Sequence, residues 1–197
     1  AGRSAVQYQV TPNGSVPVNG IKGALFGSSA CSAALQGLMS GPRTHLLEAE
    51  YARIARRSID ANDQLTAALA SASLASPFPA GNNLASQLAM VARMIAAREA
   101  LGARRQVFFV SIGGFDTHDS LATVHPGLMS AVGDALAAFY QATVELGVAD
   151  KVTAFTASDF GRTLSSNGDG SDHGWGSHHF MVGGAVKGRA SMARRHR

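Results

Sequence analysis

A chain of 197 residues that is 46% apolar and 15% charged can bury a sizeable core, and its composition excludes a disordered chain. Its formal charge of +4 belongs to residues 188–197, where Arg189, Arg194, Arg195 and Arg197 meet no acid; the neutral remainder excludes a specific nucleic-acid-binding face on the domain and leaves only non-specific contact with polyanions to the tail. A single cysteine, Cys31, excludes an intrachain disulfide framework, and no apolar run approaches the ~20 residues of a membrane span.

Residues 1–42 read as an irregular, loop-rich segment. Ala5 to Val10 alternates like a strand and runs into the turn chemistry of Thr11-Pro12-Asn13-Gly14. Ile21 to Phe26 reads as a second short strand. Ser28 to Met39 reads as a short helix stopped by Ser40-Gly41-Pro42. Over residues 43–75, Leu47, Tyr51, Ile54, Ala55, Ile59, Leu65 and Leu69 recur at helical steps and predict one long helix. Arg53, Arg56 and Arg57 fall mostly on its other face, as a solvated surface or an anion site. After Ser76-Pro77-Phe78-Pro79, Gly81 with Asn82-Asn83 starts a further helix. Its stripe of Leu84, Leu88 and Val91 reaches about Leu101, and Gly102 stops it.

Beyond Gly102 the pattern changes. Val107-Phe108-Phe109-Val110-Ser111-Ile112 is a continuous apolar run of strand length, the pattern of a strand covered on both faces. It leads into Gly113-Gly114-Phe115-Asp116-Thr117-His118. A helix follows from about Pro126 to Leu146, closed by Gly147. Val152 to Ala157 is a second buried strand. Strand, helix, strand implies a right-handed crossover and a parallel pair. Both strands would then carry their polar ends to one edge of the sheet, where open α/β sheets bind ligands.

The chemistry at that edge is dense. Asp116, His118, Asp159, Asp172 and His173 are oxygen and nitrogen donors suited to a divalent metal, with Zn, Mn, Mg and Ca all open. Arg162, with its planar fork, is a candidate for holding an anionic group. Each residue also has a plain structural reading: Asp116 or Asp159 as a helix cap, and one of His178 and His179 as a hydrogen-bonded core residue. No Gly-x-Ser-x-Gly occurs, so the nucleophile elbow of the serine esterases is absent.

These motifs carry a resemblance. V-F-F-V-S-I-G-G-F-D-T-H, then a helix, then V-T-A-F-T-A-S-D-F-G-R-T, then G-S-D-H-G-W-G-S-H-H-F-M-V-G-G-A-V-K-G, resembles the bacterial DUF1501 proteins of the alkaline phosphatase and sulfatase-like superfamily over residues 107–188. The resemblance implies an α/β fold with a mostly parallel sheet flanked by helices, alkaline-phosphatase-like and incomplete within residues 1–197, with residues 189–197 as a basic tail. It implies metal ligation by Asp116 and His118, with His173 as the late histidine ligand and Asp172 beside it. Asp159 would be the aspartate of a strand-end Asp-His pair whose histidine is here Phe160. The nucleophile would lie upstream, outside this segment. The implied activity is hydrolysis of a small anionic phosphate or sulfate ester in the periplasm, after export, although no signal peptide is visible at Ala1. The alternative is a non-catalytic member that keeps the fold, with or without one metal, and acts as a metal-binding or envelope-associated binding protein.

Overall fold

The structure, a computed structural model, describes residues 10–15 and 23–188. The strand expected over Ala5 to Val10, except for Val10 itself, and the tail 189–197 lie outside those residues. The chain divides into two compact units. One holds the described residues up to Ser73 together with Arg93–Gln106; the other holds Leu74–Ala92 and the residues from Val107 onward.

In the first unit, the Pro12-Asn13 turn closes a hairpin of β1 (Val10–Thr11) and β2 (Gly14–Ser15). The described part of the Ile21 to Phe26 run forms no strand, only a bridge between Leu25 and Ser28. α1 (Ser29–Ser40) starts where the Ser28 hydroxyl accepts from the Cys31 amide at 3.4 Å. α2 (Leu46–Ala70) packs with α1. Its apolar stripe is buried at its C-terminal end, at Leu65, Ala68 and Leu69, whereas Leu47, Tyr51 and Ile54 stay exposed. Arg53 pairs with Glu50 on the solvated side, 2.7 Å from Nε to Oε2. Arg93 donates to the carbonyls of Leu69 (2.9 Å) and Ala72 (3.3 Å), where the end of α2 has acceptors without intrahelical partners.

α3 (Asn83–Ala96) is capped by Asn82, whose Oδ1 accepts from the Ala85 amide at 3.1 Å. The Asn82 amide also donates to the Ala131 carbonyl at 2.7 Å, on α4 (Leu121–Glu145). α4 begins five residues earlier than the proline suggested. Pro126 sits inside it, forfeiting one hydrogen bond to the carbonyl of Ala122. The start is held from outside, because the Leu121 amide donates to the Asp169 carbonyl at 3.0 Å. Val132, Ala135, Phe139, Ala142 and Thr143 form its buried stripe. Gly147, at φ +65°, ends the helix as its sequence position predicts. Among the residues described, no helix is long and apolar enough to cross a membrane.

The last turn of α4 makes a connection of its own. The Glu145 carboxylate accepts from the amides of Ala75 (2.7 Å) and Ser76 (2.8 Å) and from the Ser76 hydroxyl. Its pKa is lowered, first by the Ala75 amide and then by the Ser76 hydroxyl and amide. A depressed carboxyl pKa stabilises the fold above the unfolded value, and that contribution is lost as pH falls through the folded one. Acidification below the ordinary glutamate range of about 4.3 is therefore expected to release residues 75–76. The amide NMR shifts of Ala75 and Ser76 should titrate together, and Glu145→Ala should show the released shifts at neutral pH.

The expected parallel α/β sheet is not what forms. The described residues are mostly helical, with three two-stranded antiparallel ribbons among them. The run Val107 to Ile112 forms no strand and pairs with none among the described residues, and Val107 and Phe109 are 99% and 91% exposed. Of Val152 to Ala157, only β3 (Ala154–Phe155) is a strand, antiparallel to β6 (Met181–Val182). β4 (Gly161–Arg162) pairs antiparallel with β5 (His173–Gly174). The error has a physical origin. A continuous apolar run does not disclose which partner supplies its ladder, and here β3 takes the chain that returns along Phe180-Met181-Val182.

Candidate metal centre

The ribbons bring the polar loops together without a parallel sheet. β5 presents His173, and its partner β4 presents Arg162 directly opposite. Asp116 and His118 lie on the segment after the Val107 to Ile112 run. The loop 163–172 folds back onto that segment through Asn167. The Asn167 Nδ2 donates to the His118 carbonyl and to Asp172 Oδ1, both at 3.0 Å, while its Oδ1 accepts from the Gly170 amide at 2.9 Å. Gly170 is buried against this segment, and a Cβ there would run into the carbonyls of His118 and Thr117. Only glycine allows the loop to close that tightly.

One ligand atom from each of Asp116, His118 and His173 falls within 4.8 Å of the others. Asp116 Oδ1 is the hub, 2.8 Å from His173 Nε2 and 3.1 Å from His118 Nε2. The two imidazoles lie 4.9 Å apart, centroid to centroid, tilted by 32°. All three residues are solvent-exposed. Two imidazole nitrogens aimed at one carboxylate oxygen define a place where a single cation can replace the intervening protons.

The surroundings fit a metal as well. His118 Nδ1 lies 3.2 Å from Asp172 Oδ1. With its proton on Nδ1, the ring bonds Asp172 and leaves the Nε2 lone pair toward Asp116 and His173. A histidine ligand oriented by a carboxylate on its far nitrogen is a recurrent outer-shell pattern. Asp172 thus stands behind a candidate ligand, outside the three-residue group. Replacing it with alanine is expected to weaken divalent-metal binding about 10- to 100-fold without abolishing it, measured by calorimetric titration.

Charge favours ionised carboxylates here. The hydrogen bond from His173 is the main cause holding the Asp116 pKa below its usual value; His118, His173 and Arg162 add their fields against a desolvation cost. Asp172 is lowered first by the Asn167 amide and then by His118.

Arg162, a candidate anion binder from sequence, bonds the protein through both of its terminal nitrogens. Nη1 bonds the Ser171 carbonyl, and Nη2 bonds the Phe115 carbonyl (2.7 Å) and Asp116 Oδ1 (3.2 Å). Its side chain is only 21% exposed, and the guanidinium lies 5.0 Å from the centre of the Phe160 ring. Phe160 in turn stacks on His173 at 4.1 Å and 12°. Arg162 therefore fastens the Asp116 segment to the Asp172 segment. Asp159 is exposed and is not part of the three-residue group. Sequence reasoning missed Asn167; the signal for it was the Asn-Gly turn inside a Gly/Asp-rich loop, the chemistry of a side chain that bonds nearby backbone.

Residues 42–193 match a family described as "Protein of unknown function (DUF1501)". No curated protein and no solved structure matches the chain.

Proposed function

We propose that this chain, which belongs to the DUF1501 family, binds one divalent metal through Asp116, His118 and His173 and works as the metal-bearing part of a hydrolase of phosphate or sulfate esters. The observation that carries the reading is the convergence of three ligand atoms within 4.8 Å, backed by the carboxylate behind His118. Two imidazoles with one carboxylate favour Zn or Mn over Mg or Ca, which prefer all-oxygen shells. When bound, such a cation supplies Lewis acidity toward an ester oxygen. The chain supplies the rest: Asp116 contributes negative charge, Asp172 fixes the His118 ring, and Arg162 and Phe160 hold Asp116 and His173 in place. The exposure of the cluster supports access for a small anionic ester. The motif resemblance to alkaline phosphatase and sulfatase-like proteins supports the substrate class and an exported, periplasmic setting.

A second reading, metal binding without turnover, is favoured by one feature. The nearest hydroxyl in sequence, Thr117, is buried and directed to the Phe115 carbonyl, so the cluster holds no evident nucleophile. Elemental analysis of purified protein, followed by assay on generic phosphate and sulfate monoesters, decides between the two. Stoichiometric metal with turnover supports the hydrolase; stoichiometric metal without turnover supports the binding protein. Absence of bound Zn or Mn after loading rejects both.

A further inference from the structure

Ser177, His179 and Thr156 form a second group of reactive side chains, which the metal reading does not use. Ser177 Oγ lies 2.8 Å from His179 Nε2. The other ring nitrogen, Nδ1, lies 3.4 Å from Thr156 Oγ1, and that oxygen accepts from the Phe180 amide at 2.9 Å. In the Nδ1–H tautomer the ring donates to Thr156 and turns the Nε2 lone pair toward the serine hydroxyl. A nucleophile within reach of a base, itself aligned by a third group, is the arrangement that activates serine.

The group is held from both sides. Gly176 and Arg162 exchange backbone hydrogen bonds in both directions, at 2.7 and 3.0 Å. The Thr156 amide donates to the Phe180 carbonyl at 3.0 Å. Residues 177–179 therefore bridge the β4–β5 ribbon and the β3–β6 ribbon. Phe155 and Met181 pair across the adjacent ribbon and are 72% and 52% exposed, so exposed apolar side chains stand one residue before Thr156 and two after His179 in the chain.

We propose that Ser177, His179 and Thr156 hydrolyse carboxylic esters with a short apolar acyl chain. Ser177 Oγ bonds to the acyl carbon as its proton passes to His179 Nε2. The bond to the alkoxy oxygen then breaks, and the alcohol leaves with that proton. Water adds to the acyl carbon, losing a proton to His179 Nε2. The acyl–serine bond breaks, the carboxylic acid departs, and the proton returns to Ser177 Oγ. Such a constellation is recognised by geometry and roles, so the missing Gly-x-Ser-x-Gly does not exclude it. Thr156 is neutral: it aligns the imidazole without an anion to stabilise its charged form.

The test uses the whole chain, a fluorophosphonate probe and p-nitrophenyl butyrate, each with and without EDTA. The expected result is one probe adduct, mapped to Ser177 by peptide mass spectrometry. Ester release should fall at least about 100-fold in both Ser177→Ala and His179→Gln, with loss of the adduct. EDTA should change neither readout, which separates this group from the metal cluster. Wild-type protein with an intact helical circular dichroism signal and no adduct at Ser177 would overturn the proposal. So would a Ser177→Ala variant that releases p-nitrophenol at the wild-type rate.

Discussion

Replacing Asp116 with alanine is expected to abolish stoichiometric binding of Zn or Mn. Asp116 Oδ1 faces His118 and His173 at 3.1 and 2.8 Å and so links the two imidazoles of the cluster. Without it, two neutral nitrogen ligands remain and the anionic one is gone. The loss of affinity should exceed the roughly 10- to 100-fold expected for an outer partner such as Asp172. The fold should survive, because Arg162 keeps its bonds to the carbonyls of Phe115 and Ser171. Calorimetric titration beside a circular dichroism melt makes the comparison. Tight binding to a folded Asp116→Ala protein would show that the metal is held without Asp116 and overturn this cluster as its site.

The largest stability effect is expected from Phe139→Ala in α4. Phe139 is 5% exposed, in the middle of the buried stripe of that helix. Emptying its site should cost about 3–5 kcal/mol, the transfer term plus the cavity left behind. Phe109→Ala is the informative control. Phe109 belongs to the run that reads as the most buried strand of the sequence, yet it is 91% exposed. Its replacement should change stability by no more than about 0.5 kcal/mol, as for a surface position. Urea unfolding midpoints of the two variants measure the difference. Equal and large losses would mean that the Val107 to Ile112 run is covered after all.

Helices were the legible part of this chain, and their ends less so: α3 stops at Ala96, short of the Gly102 read as its stop. The Gly81-Asn82-Asn83 start, the Gly147 stop and the turn at Pro12-Asn13 are where the sequence placed them, because caps and turns are decided by a few adjacent residues. Pro126 misled by one turn, since α4 is anchored by Asp169, more than 40 residues further along the chain, and starts ahead of its proline. The members of the polar cluster were legible as donor types, but not their ranks. Asp116, His118 and His173 meet, Asp172 stands behind, and Asp159 is not among the three.

By itself, the sequence determined the helical segments, the donor chemistry and the family. Only the tertiary structure decided that the ribbons are antiparallel, that Arg162 fastens loops, and that Ser177 reaches His179. The physical reason is range. Periodicity and capping act over a few residues, whereas ladder partners and side-chain convergence depend on hydrogen bonds closed between distant segments, which no local pattern encodes.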